Sequence, residues 1–309
     1  MKILHLDTTH PFLGKELEKI GFTNHYDFDT LKSDLKLSSY FGIIIRSRIS
    51  IDRDFIERGE NLKFIARIGS GTENIDVDYA EKKGIQIIST PEGNSNAVGE
   101  HALGMLLSLL NNINSSNKEV QNGIWKRESN RGFELKNKTV GLIGYGNTGK
   151  SFAKKLIGLN VNIIFYDIKN IKKDKYARPV SLNYLKDNSD IISLHVSMTK
   201  ESNGLIDKDF IKSCKKPFWL INTSRGDCVI MNDLIKGLKN EKVLGAGLDV
   251  IAFEKKSFEK LTVNENDQSS LDYLNSSSNV IITPHIAGWT QESKIGLVEI
   301  ALEKIKKLL

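Results

Sequence analysis

Short runs of aliphatic and β-branched residues alternate along the chain with segments whose apolar positions recur every three or four residues. The runs read as buried strands and the periodic segments as helices that cover them. In the first third, strands are expected at residues 3–6, 42–45, 64–66 and 85–89, with helices at 12–20, 52–57 and 77–82 between them. A longer helical pattern extends from Ala97 to about Val120, carried by Ala97, Leu103, Leu106, Leu107 and Leu110. A second series of strands is expected at 139–143, 162–166, 190–194, 218–222, 245–249 and 280–282, and a last helix from about Gln291 to Leu309. The polar stretch 263–279 has loop composition. Strands alternating with helices build a parallel sheet covered on both faces, so the fold class is α/β, and two series imply two domains. No solenoid repeat interrupts the pattern.

Composition narrows this picture. The 309 residues suffice for about two domains. The longest apolar stretch, around 102–110, is too short to cross a bilayer, and Asp7 interrupts any signal-peptide core. A soluble, cytoplasmic protein with no membrane partner is therefore expected. Its two cysteines, Cys214 and Cys228, exclude a disulfide framework and, by themselves, a structural zinc site. The net charge of +6 arises from 44 basic residues interspersed with 38 acidic ones, with no basic block interleaved with aromatics. A nucleic-acid partner is not expected, and an anionic small substrate suits the balance.

The strand at 139–143 runs into Gly144, Gly146 and Gly149, with Asn147 and Thr148 between them, and then into a helix. This is the GxGxxG turn in the setting that binds a dinucleotide. The first glycine makes the tight turn, the second admits the pyrophosphate, and the third lets helix and strand pack closely. Asp167 closes the next strand, where a carboxylate accepts hydrogen bonds from ribose hydroxyls and repels a 2′-phosphate. NAD rather than NADP is expected, although Lys169, Lys172 and Lys173 follow.

Arg225, Glu254 and His285 each follow an expected strand of the second series, and ligands of open parallel sheets bind beyond those carboxyl ends. Oxidising a 2-hydroxy acid requires a base for the hydroxyl proton, which histidine supplies near neutral pH. A carboxylate on the other ring nitrogen fixes the tautomer, and a guanidinium grips the substrate carboxylate at two points. Taken singly, Arg225 also suits a surface ion pair, Glu254 a solvated loop acid, and His285 a capping or core histidine.

Over nearly its whole length the chain resembles the D-isomer-specific 2-hydroxyacid dehydrogenases. The matching blocks are 69–76, 90–94 leading into 98–102, 144–149 with Asp167, 222–226, 247–250 with Glu254, and 284–288. The resemblance implies Arg225 as substrate anchor, His285 as acid/base and Glu254 as its partner. It implies cofactor contacts from Gly144, Gly146, Asn147, Thr148, Gly149, Asp167, His195, Thr223, Asp249 and Gly288, with Asp249 on the nicotinamide carboxamide. Ser70 and Gly71, through backbone N–H groups, and Asn94 are implied to hold the substrate. It further implies two Rossmann-like or flavodoxin-like domains. An NAD-binding domain at 96–288 is inserted into a substrate domain formed by 1–95 and 289–309, and the cleft between them closes on substrate. The helix at 97–120 bridges the two, and a homodimer is expected.

Within the family, the resemblance is to members that oxidise D-3-phosphoglycerate in serine biosynthesis. Arg46, Ser47 and Arg48 follow a strand where those members hold the substrate phosphate. Trp125 to Arg127 resembles a segment that packs into the neighbouring subunit and offers it a basic residue. Other readings are a glyoxylate/hydroxypyruvate reductase, a D-lactate-type dehydrogenase, or an NADH-sensing scaffold like the family's corepressor relatives. Against the family pattern, Lys255 stands where proline is usual after Glu254, and Val196 to Thr199 differ from the common Pro-Leu-Thr. The segment between Glu254 and His285 is long, and Trp289 stands where a small residue is common. No amino-acid-binding extension follows Leu309, so a form without serine feedback through such a domain is expected.

Overall fold

The computed structural model describes residues 1–254, 261 and 265–309. Lys255 and positions 263 and 264 of the expected polar loop lie outside the described residues. The described chain divides into two compact units, one formed by Met1–Ser95 and Trp289–Leu309, the other by Asn96–Glu254 and Leu261–Gly288.

The first unit is built on a parallel sheet of β1 (Lys2–His5), β2 (Thr23–Tyr26), β3 (Gly42–Ile45), β4 (Phe64–Arg67) and β5 (Gln86–Ser89), in the order β2-β1-β3-β4-β5. Strand β3 is buried on both faces, which its Gly-Ile-Ile-Ile sequence allows. Ile43 and Ile45 pack with Phe55 and Ala80 beneath helices Arg53–Glu57 and Val77–Lys82. Ile44 points the other way, into a cluster with Leu13 and Leu17 of helix Phe12–Lys19 and Val298, Ala301, Leu302 and Ile305 of helix Gln291–Lys306. That last helix starts at a capping box, in which Thr290 and Ser293 each accept a backbone N–H from the other.

The second unit holds seven strands: β6 (Thr139–Ile143), β7 (Asn162–Tyr166), β8 (Arg178–Pro179), β9 (Ile191–Leu194), β10 (Phe218–Asn222), β11 (Val243–Leu248) and β12 (Val280–Ile282). Their order is β12-β11-β10-β9-β6-β7-β8, with every described pairing parallel. The chain winds outward from β6 in one direction through β7 and in the other through β9. The switch point, where doubly wound sheets bind ligands, therefore lies at the carboxyl ends of β6 and β9. Phe218 and Leu220 serve one core, and Trp219 and Ile221 the other, as the period of two requires.

Three elements depart from the pattern reading. The expected helix 97–120 is two helices, Ser95–Leu110 and Ile113–Gln121, separated where Asn112 adopts left-handed φ of 53°. Asparagine tolerates that conformation better than most residues, and the turn ends the first helix. The stretch read as loop contains helix Glu265–Ser276, with Leu274 buried and Leu271 and Tyr273 packed against the core. A narrow apolar face suffices there among polar neighbours. Strand β2 has no apolar run, because an edge strand half exposed to water needs none. Among the described residues, no helix is long and apolar enough to cross a membrane.

Gly93 and Gly296 let the terminal helix approach the turn before Ser95. A Cβ on Gly93 would stand 2.6 Å from the backbone Cα and N of Leu297, and one on Gly296 would stand 2.7 Å from Gly93 O. Gly93→Val should therefore cost about 1–3 kcal/mol of stability, the range for overpacking. In thermal unfolding the midpoint should fall by roughly 2–4 °C per kcal/mol, and an unchanged midpoint would refute this packing.

Candidate active site

Strand β6 delivers the chain to Gly144, whose φ of 91° suits glycine. A Cβ there would stand 2.4 Å from His195 O, so this glycine also lets β6 lie against the end of β9. Gly149 has the same close relation to Gly144, at 2.4 Å from its carbonyl oxygen. Gly146 is different, since a Cβ on it would meet nothing within 4 Å. Helix Asn147–Leu156 begins at once, and no side chain caps it. Its first N–H groups and positive dipole end therefore face open space, the arrangement that receives a phosphate.

Asp167, at the end of β7, lies beside this turn. Its Oδ2 accepts a hydrogen bond from Tyr145 N at 2.7 Å, and its Oδ1 one from Lys169 N at 2.9 Å. Tyr145 itself is buried, stacked on Phe165 with ring centroids 3.9 Å apart, and donates its hydroxyl to Asp174 at 2.9 Å. Burial and the Asp174 carboxylate push the phenol's pKa up, so the side chain stays neutral. Sequence reading missed this anchor under the turn, because nothing in the spacing links Tyr145 to Asp174.

His195 and Thr223 follow β9 and β10. Burial lowers the pKa of His195 to about 3, so its ring is neutral at physiological pH. Its Nε2 lies 2.9 Å from Ser193 Oγ, while His195 Nδ1 and Thr223 Oγ1 are buried without a hydrogen-bond partner in the protein. Such orphans call for explanation, and a bound ligand is one. The uncapped helix start, the open space over Gly146, the acid on β7 and these two atoms together fit a dinucleotide.

The candidate reactive groups follow β10, β11 and β12. Asn222 shapes the first turn, donating Nδ2 to Arg225 O at 2.9 Å and accepting Ser224 N at 3.0 Å. Arg225 Nη1 donates to Ser224 O at 2.6 Å. A Cβ on Gly226 would sit 2.1 Å from Ile251 C and O, so the Arg225 turn rests directly on the backbone leading to Glu254. Glu254 Oε1 accepts Ile251 N at 2.8 Å, and its Oε2 lies 2.7 Å from His285 Nδ1. The two side chains are 15% and 26% exposed, enough burial to strengthen the contact while leaving the imidazole accessible.

His285 adopts left-handed φ of 55°, uncommon for a residue with a Cβ. Asp249 holds it there. The Asp249 backbone oxygen accepts His285 N at 2.8 Å. The carboxylate, 1% exposed, accepts Thr283 Oγ1 at 2.6 Å, Ile286 N at 2.8 Å and Ala287 N at 2.9 Å. His101 Nε2 lies 3.0 Å from Thr283 Oγ1 and 3.5 Å from Asp249 Oδ1. The Thr283 proton is committed to Asp249, so His101 is the donor to Thr283 and carries its proton on Nε2. His101 and Thr283 were not singled out from sequence, although both lie in or beside matching blocks. Gly288, the last expected cofactor contact, follows directly and is half-buried.

The expected substrate residues Arg46, Ser47, Ser70, Gly71 and Asn94 belong to the first unit, each partly exposed. Ser70 Oγ donates to Asn94 Oδ1 at 2.9 Å. Arg46 N donates to Asp7 Oδ2 at 2.6 Å, and its guanidinium lies over the Trp289 ring, 4.4 Å from the centroid. Arg48 must be corrected. Its Nε, Nη1 and Nη2 donate to Leu6 O, Thr30 O and Asp27 O at 2.7, 2.9 and 3.2 Å. With three of its five N–H donors on these carbonyls, it braces the loops around β1 and is not set aside for a phosphate. Arg127 and Trp125, in the second unit, are exposed, the tryptophan at 80%.

Residues 103–287 match the family model for the D-isomer specific 2-hydroxyacid dehydrogenase, NAD binding domain. Hydroxypyruvate reductase of Thermotoga maritima is 36% identical over 267 residues, covering 86% of this chain and 84% of that protein. D-3-phosphoglycerate dehydrogenase of Methanocaldococcus jannaschii is 33% identical over 100% of this chain, which spans only 57% of that protein's length. Among solved structures, D-lactate dehydrogenase from Aquifex aeolicus, complexed with NAD and lactic acid, superposes with a TM-score of 0.83. It is 27% identical over 100% of this chain and 95% of that one. The cradle at Gly144, the His285–Glu254 pair and these matches lead to one conclusion: the chain belongs to the D-isomer-specific 2-hydroxyacid dehydrogenases, and its cofactor is NAD.

Proposed function

We propose that this protein oxidises D-3-phosphoglycerate to 3-phosphohydroxypyruvate, as in serine biosynthesis, with the second unit binding NAD and the first recognising the substrate's anionic groups. The observation that carries the chemistry is the 2.7 Å contact between His285 Nδ1 and Glu254 Oε2. With the Nδ1 proton held by the carboxylate, the lone pair of neutral His285 is on Nε2. Nε2 takes the proton from the substrate's 2-hydroxyl as the C2 hydride leaves, and Glu254 stabilises the imidazolium that forms. When bound, NAD supplies the hydride acceptor. Gly144, Gly146, Asn147, Thr148 and Gly149 hold its pyrophosphate and Asp167 its ribose, with His195, Thr223, Asp249 and Gly288 ordering the nicotinamide end. In the second unit Arg225 is the proposed anchor of the substrate carboxylate, and in the first unit Ser70, Gly71 and Asn94 are the proposed substrate contacts.

Arg46 and Ser47 suit a phosphate better than the uncharged tail of lactate or glycerate. A second reading, hydroxypyruvate or glyoxylate reductase, is favoured by the Thermotoga relative, which this chain matches over 84% of its length. Ile113, Val120, Trp125 and Phe133 are 55%, 51%, 80% and 55% exposed. So much exposed apolar surface within one segment supports the proposal that a second copy covers it and receives Arg127.

Three measurements test this function. With NAD, turnover should be faster with D-3-phosphoglycerate than with D-lactate or D-glycerate, and Arg46→Ala should raise KM for the phosphorylated acid alone. Equal effects on all three would remove the phosphate assignment. His285→Ala should lower kcat by roughly 10²–10⁴-fold while NADH binding, followed by fluorescence, persists; wild-type turnover would exclude His285 as the acid/base. In the reductive direction NADH should outperform NADPH, and Asp167→Ala should narrow the gap. A preference for NADPH in the wild-type protein would overturn the role given to Asp167.

A further inference from the structure

We infer that Trp289 is a positioning residue for substrate specificity: its ring backs the Arg46 guanidinium so that the cation is presented to the dianionic end of a phosphorylated 2-hydroxy acid. The inference rests on the proposed phosphate reading and adds to it a residue that this reading does not use. Trp289 is 66% exposed, so core packing does not explain so large an apolar ring. Its mounting is firm. Thr290, the next residue, opens the terminal helix through a capping box with Ser293, and that helix is anchored by the buried Val298, Ala301 and Ile305.

Arg46 is fixed at its other end, through its backbone N–H on Asp7 Oδ2. Its guanidinium carbon stands 4.4 Å from the Trp289 centroid, well inside cation–π range. A flexible arginine is thereby held between two fixed points of the same unit. A ring beneath the guanidinium covers one face and strips its water, while the N–H donors project in the plane of the group. That plane is where a phosphate is gripped at two points. Arg48, two residues on, has three of its five N–H donors on carbonyl oxygens of loops around β1. A ring that holds Arg46 raises affinity for a phosphate without touching the reacting carbon, so its effect belongs in KM.

The test compares 3-phosphohydroxypyruvate with hydroxypyruvate in steady-state reduction by NADH. Trp289→Ala should raise KM for the phosphorylated keto acid about tenfold, with a much smaller change for hydroxypyruvate and little change in kcat for either. Trp289→Phe, which keeps a ring, should restore most of the loss. Combining Trp289→Ala with Arg46→Ala should be no worse than Arg46→Ala alone, because the ring acts through the arginine. If Arg46→Ala is selective for the phosphorylated substrate and Trp289→Ala is not, the positioning role fails and the phosphate reading stands. Additive losses in the double variant also sink the positioning role. If Arg46→Ala weakens both substrates alike, the phosphate reading fails and this inference falls with it.

Discussion

The buried carboxylate of Asp249 is the constraint on which the active-site geometry depends. Removing a charge from water costs several kcal/mol unless hydrogen bonds replace the lost hydration. Here the replacement comes from the loop after β12, through the Thr283 hydroxyl and the Ile286 and Ala287 amides. The loop cannot move without stranding the charge, and the charge cannot be satisfied without the loop. This mutual dependence holds His285 in a left-handed conformation that costs about 1–3 kcal/mol elsewhere. It is also what brings His285 Nδ1 onto Glu254. The chain of donors from His101 through Thr283 extends the constraint to helix Ser95–Leu110, so a residue 182 positions before Thr283 helps to hold the His285 loop.

Much of this was legible in the sequence where local chemistry and local structure coincide. The glycine turn, Asp167 and the Pro-His-Ile-Ala-Gly segment stand where the sequence placed them, because each is shaped within a few residues. Arg48 shows where such reading stops. Its position beside Arg46 after β3 suggested an anion site, yet its donors go to carbonyls at Leu6, Asp27 and Thr30, which only the folded chain assembles. His101 lay within a recognised block, but its partner is set by tertiary packing. Helix Glu265–Ser276 escaped notice because a few apolar contacts, chiefly Leu274, decide it against a polar composition. The break at Asn112 was hidden because the apolar spacing runs on past a single left-handed residue.

The family's chemistry and its choice of substrate draw on different parts of the sequence. His285, Glu254, Arg225 and the cofactor cradle all belong to the unit that the family model matches. In the proposed mechanism they serve hydride transfer at a carbon that every 2-hydroxy acid possesses. The groups proposed to distinguish one tail from another, Arg46 and Trp289 foremost, lie in the other unit and outside the matched segment. Relatives with similar identity carry different substrate names.

The terminal helix has a consequence for how the chain is made. Ile3, Leu13, Phe64 and Ile88 share a core with Val298, Ala301 and Ile305, yet the whole of the other unit is translated between them. During synthesis the five-stranded sheet therefore emerges first with one face covered only by helix Phe12–Lys19, before the terminal helix is made. Contacts between near neighbours in sequence form before distant ones. The core of the unit that begins first is therefore completed only by the last helix, which is made after the inserted unit.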